Sequence, residues 1–170
     1  SLYGSRRDHL GAGGVSSFSL AYSAGDLDIR TPAALAADAL GPRTNGNYGK
    51  LAFSAARLQN ITDNFALYAG INGQFASKNL DISEKMGLGG MYGVRAYPVG
   101  EAYGDKGFIA TLEARWRLPT PVSVPGQVNL IGFFDIGKMK LYEDPWASFD
   151  NHRTLKGAGV GATWMDPNRF

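Results

Sequence analysis

The sequence predicts an all-β, antiparallel architecture, and three observations carry that expectation. Apolar and polar residues alternate with period two in segments of about ten residues. Glycine is in excess, at 23 residues, a load that helix interiors tolerate poorly and turn-rich sheets carry more easily. Clusters of Asn, Asp, Gly and Pro fall between the alternating segments, where the chain must reverse.

Taken in order, residues 16–25 place Phe18, Leu20, Tyr22 and Ala24 opposite Ser17, Ser19, Ala21 and Ser23. A connection over 26–47 comes next, and its one helical stretch is 33–40. Residues 48–57 are a weaker strand candidate, closed by the turn residues of 61–64. In 65–75, Phe65, Leu67, Ala69, Ile71 and Phe75 oppose Tyr68, Asn72 and Gln74. Residues 85–93 are again a weaker candidate. The clearest strand is 108–118, with Phe108, Ala110, Leu112, Ala114, Trp116 and Leu118 on one face and Ile109, Thr111, Glu113, Arg115 and Arg117 on the other. Three prolines break the chain over 118–126. In 128–136, Val128, Leu130, Phe134 and Ile136 share a face opposite Asn129 and Asp135. Asp144-Pro145 marks another turn, and 155–164 is a last, weaker candidate. Counting these seven strands back from the 87–105 loop places the 26–47 connection at the opposite end of the sheet. Trp116, Trp146 and Trp164 lie near strand ends, where aromatic girdles sit. In a soluble sandwich the charged face would be solvated; in a membrane barrel it would line the lumen.

Composition removes several function classes. The absence of cysteine excludes disulfides and Cys-ligated metals. A formal charge of +2 is too small to argue for nucleic acid. No apolar run approaches the ~18 residues of a membrane helix, which leaves strand-crossing open. The start, SLYGSRRDHL, carries no apolar leader, so either one has been removed or the chain is a fragment. At the other end Phe170 comes after a turn-like 165–169, as if another strand were beginning. The string 157–162 matches a dinucleotide fingerprint, but the adjoining Thr163-Trp164-Met165-Asp166-Pro167 cannot open a helix. His9 and His152 are far apart in polar segments. No catalytic set, metal site or cofactor is expected.

Residues 87–105, GLGGMYGVRAYPVGEAYGD, hold six glycines around the buried-looking run Val94-Arg95-Ala96-Tyr97. A free hairpin loop has no use for such a run, so a folded, functional loop is expected. The stretch SKNLDISEKMGLGGMYGVRAYPVGEAYGDKGFIATLEARW resembles the barrel of two-partner secretion transporters. These include the haemolysin activator and the filamentous haemagglutinin transporter, in the superfamily of the barrel insertase BamA. Segments 19–29, 50–59, 132–137 and 157–164 extend the likeness over most of the chain. The superfamily's Val-Arg-Gly-Tyr/Phe loop motif reads here Val94, Arg95, Ala96, Tyr97, and Ala in place of Gly disfavours positive φ at 96.

The resemblance implies a transmembrane β-barrel of a Gram-negative outer membrane, of which residues 1–170 form a part, with 87–105 folding into the pore as a lid. It implies a carboxylate partner for Arg95 on the inner wall in a Phe-x-Asp setting, which Phe133-Phe134-Asp135 matches. Glu113 shares that face and is the second candidate. It implies a secreted exoprotein (haemolysin, haemagglutinin or adhesin-like) as substrate, the lipid bilayer as surroundings, and no nucleotide or enzymatic activity. Periplasmic POTRA domains would precede this chain, which itself holds none. The rival readings are an insertase-like assembly barrel, a soluble β-sandwich binding module and, third, a barrel-embedded lipase.

Overall fold

The computed structural model describes residues 1–119 and 125–166. Seven strands form one antiparallel sheet in strict chain order: β1 (Leu2–Asp8), β2 (Gly14–Leu27), β3 (Gly46–Asn60), β4 (Phe65–Ala76), β7 (Lys106–Arg117), β8 (Gln127–Lys140) and β9 (His152–Met165). Two further short strands, β5 (Met86–Gly87) and β6 (Tyr103–Gly104), pair only with each other, inside the loop between β4 and β7. The sheet is a single layer, and among the described residues β1 and β9 are its unpaired edges. Apart from β1, its strands run 12 to 15 residues. Most globular strands have about 3–10 residues, and about 9–11 suffice to cross a bilayer.

Register fixes the two faces. The pairs Phe18↔Ala55, Ala55↔Ile71, Ile71↔Ala110 and Ala110↔Ile136 form one apolar row across five strands. On that face Leu112 is 59% exposed and Phe134 43%. An uncovered apolar face of this extent needs a partner or a membrane. The other face carries Gln74, Glu113, Arg115 and Asp135.

The apolar band runs obliquely to the hydrogen-bonded rows. On β8 it starts at Val128. On β3 the face turns polar at Arg57, which Asp8, Ser16 and Gln59 hold by hydrogen bonds. Arg57 lies level with Phe134 through Ala69 and Leu112. From Val128 to Phe134 is a climb of roughly 20 Å at 3.3 Å per residue, over three strand steps of about 4.8 Å. The implied tilt is about 54°, in the same sense as, and somewhat steeper than, the roughly 35–45° of strands in membrane barrels.

The connections divide by length. At one end lie 9–13, 61–64 and the β7–β8 connection; at the other lie 28–45, 77–105 and 141–151. The 28–45 connection holds α1 (Pro32–Leu40) and leaves from the same end as the 77–105 loop. That corrects the expectation from strand counting. Residues 85–93 are not a strand of the sheet, because only Met86–Gly87 pairs, with β6. The missing strand is instead β1, whose Tyr3-Gly4-Ser5-Arg6-Arg7 lacks alternation and is recruited by its pairing with β2. The strand total is unchanged, but removing 85–93 reverses the end assigned to everything before it. Within 28–45, Asp38 accepts from the N–H of Thr44 and Asn45 and from the Thr44 hydroxyl, at 2.8, 3.0 and 2.7 Å. Burial pushes this carboxyl up, but those hydrogen bonds and the charge of Lys78 outweigh it and hold it below the ordinary carboxylate value.

Trp116 and Trp164 face outward at the short-turn end, whereas Trp146 lies in the 141–151 loop against Tyr142 and Phe149. Of the expected turn over 165–169, Met165 instead closes β9, while 167–170, Phe170 included, lie outside the described residues, as does most of the proline-rich break.

Candidate functional site

The 77–105 loop folds back onto the polar face of the sheet and makes its hydrophobic core there. Leu88 and Val94 are fully buried and pack with Ala102, Ile109, Met139 and Leu155, with Tyr97 alongside. The loop satisfies its own backbone: Val94 N–H donates to Leu88 O, Tyr97 N–H to Val94 O, Gly90 N–H to Tyr97 O and Leu88 N–H to Ala102 O. Gly90, at φ 98°, supplies a left-handed turn closed by Gly93 N–H to Gly90 O at 2.9 Å.

The wall beneath is floored with glycine. A Cβ added to Gly137 would stand 2.5 Å from Leu88 Cδ1, and one at Gly157 would stand 2.7 Å from Ala96 Cβ. These two positions are smooth because the loop's side chains occupy the space a wall side chain would take. Ala96 needs no left-handed backbone, since Arg43 is the only non-glycine with positive φ among the described residues. Its methyl is accommodated by the missing side chain of Gly157.

From this seat Arg95 reaches two strands at once. Nε donates to Asp135 Oδ2 at 2.8 Å and Nη2 to Oδ1 at 2.8 Å, the bidentate fork that guanidinium geometry favours. The Arg95 backbone N–H adds a third bond to Oδ2 at 3.1 Å, and Thr111 Oγ1 donates to Oδ1 at 2.9 Å. Asp135 is fully buried with its lone pairs engaged. Nη1 donates to Glu113 Oε1 on β7 at 2.6 Å. Glu113 also accepts from Arg115 Nε and Nη2 at 2.8 and 2.6 Å. The Arg95 guanidinium stacks on the Phe133 ring, 3.7 Å from its centroid. Two carboxylates thus meet two guanidiniums, so the buried charges are balanced.

A second anchor holds the base of the loop. Asp105, fully buried, accepts from Lys85 Nζ at 2.7 Å, from Leu80 N–H at 3.1 Å and from Glu143 N–H at 2.8 Å. Lys85 Nζ also donates to Leu141 O at 2.6 Å and lies 4.0 Å from the centroid of the Tyr142 ring. The Asn79 amide joins Asp144 to Pro42 O, tying together all three long connections.

All six residues singled out in the sequence meet here: Val94, Ala96 and Tyr97 seat the loop, and Arg95 engages Asp135 and Glu113 together. The sequence left those two carboxylates as alternatives; the structure has both. Thr111, Arg115, Gly137, Gly157, Lys85 and Asp105 were not anticipated. Thr111 and Arg115 share Glu113's face by parity and could have been grouped with it. Nothing local marks Gly137 and Gly157 as a seat.

Residues 3–164 match the family described as Haemolysin secretion/activation protein ShlB/FhaC/HecB. The chain belongs to this family. Among curated proteins, this ShlB/FhaC/HecB family member is similar to Heme/hemopexin transporter protein HuxB of Haemophilus influenzae (strain 86-028NP), at 36% identity over 117 residues. That likeness covers 66% of the chain and 20% of the relative. HuxB of strain ATCC 51907 / DSM 11121 / KW20 / Rd is 35% identical over the same length. The chain therefore spans about a fifth of the curated relatives it matches. Among solved structures it is similar in fold to CdiB from Escherichia coli, with a TM-score of 0.71 and 22% identity, over 94% of this chain and 28% of that one. The family member's sheet is thus part of a transmembrane β-barrel, with its apolar face toward lipid. Spin labels at Leu112 and Leu130 should respond to a lipid-soluble quencher, and a label at Asn129 to an aqueous one. The reverse pattern would overturn this orientation.

Proposed function

We propose that this chain is the lid-bearing part of the outer-membrane barrel of a two-partner secretion transporter, through which a secreted exoprotein passes outward. The observation that carries the proposal is the 77–105 loop pinned across the inner face by Arg95, to carboxylates on two neighbouring strands. A loop held at its tip by the Arg95 ion pairs and one small apolar cluster, and anchored separately at its base, is suited to closing a pore and yielding to a passing chain. The inner face offers Arg115, Arg117, Asn60 and Asn129, polar groups able to solvate an extended polypeptide. No nucleotide or catalytic group enters this scheme; folding of the exoprotein outside would drive passage. Family membership favours secretion over the insertase-like reading. The single-layer sheet with an exposed apolar face disfavours a soluble sandwich, which needs two packed layers.

A photo-crosslinking residue at Arg117 or Asn129 in the intact transporter should capture the exoprotein during secretion. One at Leu112 should capture none. Undiminished release of the exoprotein from cells lacking the transporter would sink the proposal.

A further inference from the structure

We infer that the outer face of β7–β9 carries a binding patch for the phosphate of an anionic lipid in the leaflet at the long-loop end. The inference rests on the membrane-barrel reading and goes beyond secretion. Lys106, Lys138, Lys140 and Lys156 share the parity of Phe108, Leu112, Phe134 and Ile136, so all four are carried on the lipid-facing side. They stand where the apolar rows end toward the long loops. Lys106 is directly opposite Lys140, Lys138 is opposite Phe108, and Lys156 is opposite Ile136. Lys138 is central: by strand spacing it lies about 7–8 Å from each of the other three, so its ammonium can share a headgroup with Lys156 on one side, while Lys140, which also donates to Glu143 O, and Lys106 flank it on the other.

The cluster is not neutralised from within. Glu143 Oε1 lies 3.6 Å from the Nζ of both Lys106 and Lys140. Among the described residues, neither Lys138 nor Lys156 has an acid within salt-bridge distance, and both are exposed. Of the other acids in the 141–151 connection, Asp144 joins Asn79 through its backbone and Asp150 accepts from His152 N–H. Like charges set opposite each other in a sheet repel, and an anion among them relieves that repulsion. Lysine serves phosphate as a point charge without needing a planar fork. The patch is local: at the corresponding edge of the apolar face on β2 and β3 stand Asp26 and Asn47, opposite one another, and no lysine. General snorkelling of lysines to water would not single out β7–β9.

The apolar side chains directly below decide the kind of ligand. Phe108, Ile136 and Phe134 continue from the lysines into the bilayer, so one amphipathic molecule can satisfy both regions. Free phosphate would satisfy only the first.

The test reconstitutes the intact transporter in phosphatidylcholine vesicles carrying spin-labelled phosphatidic acid, with spin-labelled phosphatidylcholine as reference. In K138Q/K156Q the preference for the anionic lipid should fall by roughly fivefold per lysine, with the reference lipid unaffected. K138R/K156R, which keeps the charge, should retain the preference. An unchanged preference in K138Q/K156Q overturns the inference. So does an equal loss in the arginine variant, or abolition of the parent's preference by inorganic phosphate at constant ionic strength. Insertion of each variant is checked by heat-modifiable gel migration. Secretion by K138Q/K156Q, assayed in parallel, should stay at the parental level; failure of the secretion reading would leave the lipid readout untouched.

Discussion

Arg95→Ala is expected to reduce exoprotein secretion by at least about tenfold while the barrel still inserts. Among the described residues, Arg95 is the one loop side chain that forms ion pairs with both β7 and β8. Its removal leaves Asp135, fully buried, with only Thr111 and a backbone N–H as donors. Breaking a buried pair costs about 3–5 kcal/mol when the site is dry. The Arg95 side chain retains 26% exposure, so screening brings the cost toward the lower end. Even about 3 kcal/mol would shift the docked-loop population roughly a hundredfold, at 1.4 kcal/mol per tenfold. The order of severity should be Arg95→Ala, then Asp135→Ala, then Glu113→Ala, because without Glu113 Arg95 still holds its fork to Asp135, whereas without Asp135 it keeps only the single bond to Glu113. Arg95→Lys should also impair secretion, since one ammonium cannot span two carboxylates. Arg95→Ala/Asp135→Ala should be little worse than Arg95→Ala alone, because the two residues act as a unit. Immunoblots of the medium measure release and heat-modifiable migration measures insertion. Full secretion by Arg95→Ala, or cleanly additive losses, would show that the fork does not hold the loop for function.

The second large effect concerns the seat. Gly157→Val should displace the loop tip and raise single-channel conductance in planar bilayers, with the barrel intact. The added side chain would enter space held by Ala96 Cβ at 2.7 Å and Val94 Cγ1 at 3.2 Å. Overpacking of a filled site costs about 1–3 kcal/mol, a large share of what a few loop contacts supply. Gly132→Val is the control, because a Cβ there meets nothing within 4 Å and its parity is lipid-facing. A finer version exchanges one methyl across the contact. Gly157→Ala alone should loosen the loop, and Ala96→Gly in the same chain should restore it, as the total volume is then conserved. Conductance of Gly157→Val equal to that of Gly132→Val would refute the glycine seat.

Period-two alternation alone determined which residues share the apolar face and which the opposite face on β2, β4, β7 and β8; that the apolar face meets lipid came from the family resemblance. The alternation is legible because each peptide unit turns the next side chain to the opposite face, whatever the rest of the chain does. The same parity placed Asp135 and Glu113 opposite the apolar face, and the Val94-Arg95-Ala96-Tyr97 string pointed to a folded loop. Three things depended on the tertiary structure. β1 has no alternation of its own and exists as a strand through its ladder with β2. Residues 85–93 look like a short apolar strand, and only their packing onto β7–β9 shows them to be loop; that one misreading reversed the end assigned to the 28–45 connection. The seat at Gly137 and Gly157, the shared engagement of Asp135 and Glu113, and the Asp105–Lys85 anchor join residues that are distant in sequence. Their proximity comes from strand register and from the loop folding back, both of which are non-local, whereas alternation is a property of adjacent residues.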